Sequence, residues 1–280
     1  DGAVVVLDGV AGVEPQTETN WRLADRHGVP RLALVNKLDR VGADFARVAA
    51  MLQTRLQAPA WPVQLPIGAE AGFVGVVDLL RMRALYWDAD DASAPPRVAA
   101  IPPELQAQAE AARARLVEAV AEHDDALLAD WLAGTFVDAE RLSAAMRVAV
   151  RERQLVPVLA ASAFRNRGIE PLLDAVADWL PAPQDLGLPE VLQADAVDAT
   201  ALPFAGLVFK LASDGHGSSA FVRVYAGRVQ AGDVVLNAAT GEKERVARIY
   251  QVHADKRVEI AAAQAGDNDA IVGLKDSLTG

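Results

Sequence analysis

At 280 residues the chain is longer than one typical domain, and with 52% hydrophobic residues it can pack sizeable cores, so two domains are expected. The lack of cysteine excludes disulfides and thiolate metal sites; no apolar run reaches membrane-spanning length and no signal peptide opens the chain, so no membrane partner and a cytoplasmic location are expected. Acids outnumber bases 38 to 27, for a net charge of −11, which argues against broad nonspecific nucleic-acid binding and leaves DNA off the expected partners, while permitting local basic patches.

From Asp1 to about Pro62 the pattern alternates strand and helix: a strand at Ala3 to Leu7, a helix from Glu14 to His27 closed by Gly28, a strand at Leu32 to Val35, and a helix running to Leu56. Glu14-Pro15 suits a helix start, because proline in the first turn loses no hydrogen bond. Trp21 and Leu23 are expected in the core. Directly after the apolar run Arg31 to Val35 stands Asn36-Lys37-Leu38-Asp39. An N-K-x-D at a strand's carboxyl end suits guanine recognition: the Asp39 carboxylate can accept two parallel hydrogen bonds, from the N1–H and the 2-amino group, a pattern adenine lacks, while the Lys37 stem covers the ring face. The same four residues also suit a turn whose Asn and Asp cap the helix beginning near Ala43. A second motif has to decide.

From about Trp61 to Gln154 the character changes. Strand-like segments at Val63 to Leu65, Phe73 to Leu79 and Ala84 to Trp87 precede an acidic, proline-containing loop at Asp88 to Pro103. A helix over Glu104 to Ala133 places Leu105, Ala109, Ala112, Leu116 and Val120 at helical spacing, and a second over Asp138 to Arg153 does so with Leu142, Ala145, Met146 and Ala149; both stripes read as core. The basic run Arg147 to Arg153 and the pairs Asp90-Asp91 and Asp124-Asp125 read as solvated faces.

The second motif, Ala161-Ser162-Ala163-Phe164, follows the apolar strand Leu155 to Ala160 and leads into a helix at Ile169 to Leu180. Here the Ala163 N–H can meet guanine O6. Loops that end adjacent parallel strands share the sheet edge where ligands bind in doubly wound folds. Together the two motifs point to a guanine base, read by Asp39, the Lys37 stem and the Ala163 N–H, far more specifically than either alone. No catalytic residue and no metal ligand set stands out, since His27, His123, His216 and His253 lack ligand spacing with any carboxylate cluster.

Leu180-Pro-Ala-Pro183 ends the last helix, and Gln184 to Leu202, with Pro189, reads as a stiffened linker. From Phe204 the pattern is all β: Phe204 to Leu211, Ala220 to Tyr225, Asp233 to Asn237 and Arg245 to Val252, punctuated at Gly227, Ala231-Gly232, Thr240-Gly241 and Ala265-Gly266.

Over its whole length the chain resembles translation elongation factor G, a ribosomal translational GTPase. The resemblance is carried by Gly2-Ala-Val-Val-Val-Leu-Asp-Gly-Val-Ala-Gly-Val-Glu-Pro-Gln16, Val35-Asn-Lys-Leu-Asp-Arg40, Ser162-Ala-Phe-Arg-Asn-Arg-Gly168 and Val252-His-Ala-Asp-Lys-Arg257. It implies an α/β fold: a partial P-loop GTPase-type G domain at 1–60 and 155–182, an α+β subdomain inserted at 61–154, a linker at 183–203 and an incomplete translation-factor β-barrel at 204–280. In the family the two loops read the guanine of GTP or GDP, which assigns that role to Asn36, Lys37, Asp39, Ser162 and Ala163. The implied partners are the ribosome, both its RNA and its stalk proteins, and a monomer is expected. The implied activity is GTP hydrolysis that promotes ribosomal translocation.

No G-x-x-x-x-G-K-[ST] and no D-x-P-G-H occurs in the chain, so contacts to the phosphates and Mg²⁺ are expected only in a full-length parent. The chain reads as an internal piece of a longer protein, inactive alone. Asp214-Gly-His-Gly-Ser218, and Arg165 and Arg167 in place of the usual lysines, depart from the family pattern. A divergent paralogue acting in recycling or ribosomal protection, or a noncatalytic ribosome-binding module, therefore stays open. So does an unstable isolated chain, with an apolar sheet edge bared at Ala3 to Leu7.

Overall fold

The computed structural model of the chain describes residues 1–87, 94–186, 199–214, 217–254 and 256–279. Asp90, Asp91, Pro189, His216 and Asp255 lie outside them. The chain divides into two compact units, Asp1–Ala182 and Pro183–Gly280.

The first unit is built on a four-stranded sheet in the order β1 (Ala3–Asp8), β2 (Arg31–Asn36), β8 (Val156–Ala160), β3 (Ala60–Pro62), with every neighbouring pair parallel. The reason Leu32 to Val35 of β2 are all apolar is visible in their alternation. Leu32 and Leu34 belong to one buried cluster, with the helices α3 (Pro103–Ala121) and α5 (Ala139–Arg151); Ala33 and Val35 belong to another, with α2 (Phe45–Leu56). A parallel strand covered on both faces cannot keep the polar alternation of a half-exposed one. α1 (Pro15–Arg26) begins with Glu14 and Thr17 in a reciprocal capping box and buries Trp21, with the Arg31 guanidinium 4.5 Å above the indole. Leu23, two residues on and so about 200° around the helix, is 50% exposed, which corrects its expected place in the core.

A second, antiparallel sheet of β4 (Gln64–Ile67), β5 (Gly75–Asp78), β6 (Arg83–Tyr86) and β7 (Arg97–Ala99) follows β3 in the chain. β7 lies inside the segment read as a loop; three residues with two exposed carry too little apolar signal to announce a strand. The helix expected over Glu104 to Ala133 is two helices, α3 and α4 (Asp125–Leu132). Asp124 makes the break: its carboxylate accepts the Leu127 N–H at 2.9 Å and meets Arg141 of α5 at 2.7 Å. It is thus a cap and an ion-pair partner, not the solvated residue its sequence setting suggested, and the Arg141 hydrogen bond holds its carboxyl below the usual range.

The second unit is antiparallel throughout. Five strands run in the order β15 (Lys256–Ile260), β14 (Arg248–His253), β17 (Asn268–Val272), β10 (Gly217–Ala226), β9 (Ala205–Asp214). Two ribbons accompany them, β11 (Arg228–Gln230) with β16 (Ala262–Gln264) and β12 (Val234–Leu236) with β13 (Lys243–Arg245). Val222, Val224, Val229, Val246, Ile249 and Ile271 form its core. The single strand expected over Arg245 to Val252 is interrupted at Val246 and Ala247, and β11, β15, β16 and β17 had no counterpart in the sequence reading.

Candidate nucleotide site

Because β1, β2 and β8 are parallel neighbours, their carboxyl ends lie side by side, and the loops that follow them meet. Backbone bonds lock the arrangement: the Ala161 N–H donates to Val35 O at 2.9 Å, and the Leu38 N–H donates to Ala161 O at 3.2 Å. Leu38 is buried beneath the loop, between an exposed Lys37 and a half-buried Asp39. Lys37, with φ of 62°, turns the chain there; the left-handed region is unfavourable for a side-chain-bearing residue and persists only where surroundings enforce it.

Asp39 and Ser162, 123 residues apart, touch: the fully buried Ser162 hydroxyl donates to Asp39 Oδ1 at 2.6 Å. Arg165 Nε approaches the other carboxylate oxygen at 3.8 Å, and the Asp39 side chain is 15% exposed. The carboxylate is therefore fixed in direction and open at one edge. Asn36 Oδ1 accepts two backbone N–H groups, from Lys37 at 2.8 Å and Ala163 at 2.9 Å. That uses the Ala163 N–H, which the sequence reading had offered to a base oxygen, and leaves the donor capacity of Asn36 on its amide nitrogen. Phe164 stands 87% exposed with the Arg165 guanidinium 5.6 Å from its ring.

The loop between Ser162 and Gly168 is closed by reciprocal backbone bonds of 3.0 Å between Ser162 and Arg167. Gly168 then starts α6 (Ile169–Trp179) with φ of 81°, and a Cβ there would lie 2.3 Å from Ala160 O. Only glycine fits.

Asp8, which ends β1 opposite Asn36 in register, was missed by sequence reasoning. Its Oδ2 receives Lys37 Nζ at 2.9 Å and lies 3.5 Å from Arg40. The Lys37 hydrogen bond is the main reason its carboxyl sits below the usual range, aided by the Val10 and Ala11 N–H groups. The available signal was its position, an acid closing an apolar strand just as Asn36 closes the next.

Among the described residues, no group of three or more His, Cys, Asp or Glu side chains gathers to hold a metal ion. No helix among them is long and apolar enough to cross a membrane.

Residues 1–182 match the elongation factor Tu GTP-binding domain family, and residues 217–280 match elongation factor Tu domain 2. The chain belongs to the elongation factor Tu GTP-binding domain family. Elongation factor G of Gluconobacter oxydans (strain 621H) is 45% identical over 291 residues, which cover 100% of this chain and 42% of that protein. Elongation factor G 2 of Hahella chejuensis is 49% identical over 282 residues, covering 100% and 41%. A crystal structure from Thermus thermophilus superposes with a TM-score of 0.82 at 31% identity, covering 99% of this chain and 39% of that one. The chain thus spans about two fifths of the length of these relatives. Its α/β first unit carries the parallel core of a GTP-binding domain, and its antiparallel second unit is of the elongation factor Tu domain 2 kind.

Proposed function

We propose that this chain supplies guanine recognition to a translational GTPase of the elongation factor G kind. The observation that carries the reading is the Asp39–Ser162 hydrogen bond, which fixes a carboxylate at the edge where two strand-ending loops meet. A carboxylate held this way accepts from the N1–H and 2-amino group of guanine, and it repels the corresponding acceptors of other bases. Asn36 offers an amide donor beside it, and the Lys37 stem, pinned at its tip to Asp8, lies along the sheet edge where a ring would rest. Each group is positioned before a ligand arrives, which lowers the ordering cost of binding.

For the full-length protein we propose GTP binding, hydrolysis on the ribosome and promotion of translocation, in the cytoplasm. The 280 residues contain no G-x-x-x-x-G-K-[ST], so the chain by itself is proposed to hydrolyse no GTP, with Mg²⁺ and phosphate contacts belonging to the full-length protein. The relatives' names support the translational reading.

The test is Asp39→Asn in the full-length protein. An amide can donate to the C2 oxygen of xanthine, so GDP affinity should fall by about 1.5–3 kcal/mol while XDP affinity rises. Unchanged affinities for both would remove Asp39 from the site.

A further inference from the structure

The turn that joins β4 to β5 is under strain and is tied to both base-reading loops. Glu70 has φ of 52°, unusual for a residue with a side chain, and Gly68 has φ of 79°. A Cβ on Gly68 would lie 1.9 Å from Gly72 O, so this tight form demands glycine. Backbone bonds from Gly72 to Ala69, Phe73 to Glu70 and Val74 to Ile67, each of 2.9–3.0 Å, hold it closed. A left-handed non-glycine residue persists only where its surroundings offset the strain, and such residues gather at functional sites.

The turn reaches out in two directions. Glu70 Oε1 accepts the Gly42 N–H at 2.8 Å, three residues after Asp39. Phe73 O accepts a hydrogen bond from Arg167 Nη1, in the closed loop that carries Ser162 and Ala163. The anchor itself is firm: Phe73 is fully buried in the same cluster as Leu38 and Phe45, which flank Asp39 in sequence. A third tie runs from the end of β6, where the Trp87 indole N–H donates to Glu170 Oε2 in the first turn of α6 at 2.9 Å. The Arg167 guanidinium keeps a fixed planar fork, which a lysine ammonium cannot reproduce.

We propose that the turn at 68–73 is a brace that sets the spacing of the two base-reading loops, with Glu70 and Arg167 as positioning residues for guanine discrimination. The inference rests on the guanine reading above and deepens it. Asp39 and Ser162 come from different loops, so their 2.6 Å contact depends on loop spacing; releasing either tie lets the carboxylate rotate away from the 2-amino group. Discrimination suffers before folding does, because the sheet strands and α6 are held by their own backbone ladders.

The experiment measures GDP and IDP affinity of the full-length protein, since inosine lacks only the 2-amino group that Asp39 is proposed to bind. Glu70→Ala and Arg167→Met are each expected to lower the GDP-over-IDP preference about tenfold, while Glu70→Gln, which keeps an acceptor for the Gly42 N–H, restores it. Arg167→Lys, the milder change, serves if Arg167→Met fails to fold, and is expected to give a smaller loss in the same direction. A wild-type preference that stays intact in folded variants overturns the brace and leaves the guanine site standing. A wild-type protein with no preference for GDP over IDP overturns the guanine reading itself, and the brace with it.

Discussion

Asp39 in the first unit and Asp269 in the second are treated in opposite ways. At the edge of the parallel sheet each polar side chain is answered: Asp39 by Ser162, Asn36 by two backbone N–H groups, Asp8 by Lys37. In the antiparallel unit, Asp269 on β17 is 3% exposed, faces the core opposite Val222, and has Oδ2 without a hydrogen-bond partner. Burial, reinforced by the nearby charge of Asp267, pushes its carboxyl up to about 6. The difference teaches that burial alone does not mark a site. Partners convert a buried carboxylate into a directed acceptor; without them the same group is a cost to stability.

The comparison can be broken most forcefully at Gly168. Alanine there has to adopt a positive φ and meets Ala160 O, so Gly168→Ala should destabilise the first unit by about 3 kcal/mol and disorder the Ser162 loop. Chemical denaturation of the chain measures it, and a loss under about 1 kcal/mol would show that the close approach relaxes freely.

Next in size, and opposite in sign, is Asp269→Ala. A folded-state pKa above the unfolded value means that ionisation is harder in the fold, so the penalty is absent below about pH 4, grows between 4 and 6, and is complete above 6. Removing the carboxyl should therefore stabilise the second unit by on the order of 2–3 kcal/mol at pH 8, with that gain vanishing at about pH 3.5. Denaturation midpoints at the two pH values decide it; a gain independent of pH would point to packing instead of charge.

The smallest effect separates two neighbouring acids. Asp124→Ala loses a helix cap and the Arg141 pair and should cost about 1 kcal/mol, whereas Asp125→Ala should stay within about 0.5 kcal/mol. The Asp124 contribution is present above the ordinary carboxylate pKa and is lost as pH falls through its depressed folded value. Equal costs for the two variants in thermal unfolding would remove Asp124 from its role at the helix break.

Much of the first unit's framework was legible because its strands are short apolar runs bounded by breakers, and such runs need no partner to be recognised. Ala3–Asp8, Arg31–Asn36 and Val156–Ala160 all lie within a residue or two of where the pattern placed them. The second unit was less legible. β15 exposes four of five residues, and β11 and β16 are three residues long, so their pairing rests on backbone bonds between segments far apart in the chain. Leu23 and Asp124 misled for a related reason, since the buried face of a helix and the Arg141 partner of Asp124 depend on what lies across the interface.

By itself the sequence determined the βαβ order of the first unit and the two loop motifs, because strand patterning and the donor and acceptor chemistry of side chains are local properties; the five residues nominated for a nucleotide came with the family resemblance. Tertiary structure alone decided that Ser162 fixes Asp39, that Asn36 takes the Ala163 N–H, that Asp8 holds Lys37, and that a strained turn from a different sheet grips both loops. These are hydrogen bonds between groups 28 to 127 residues apart, whose geometry depends on sheet order and register. No period along the chain encodes them.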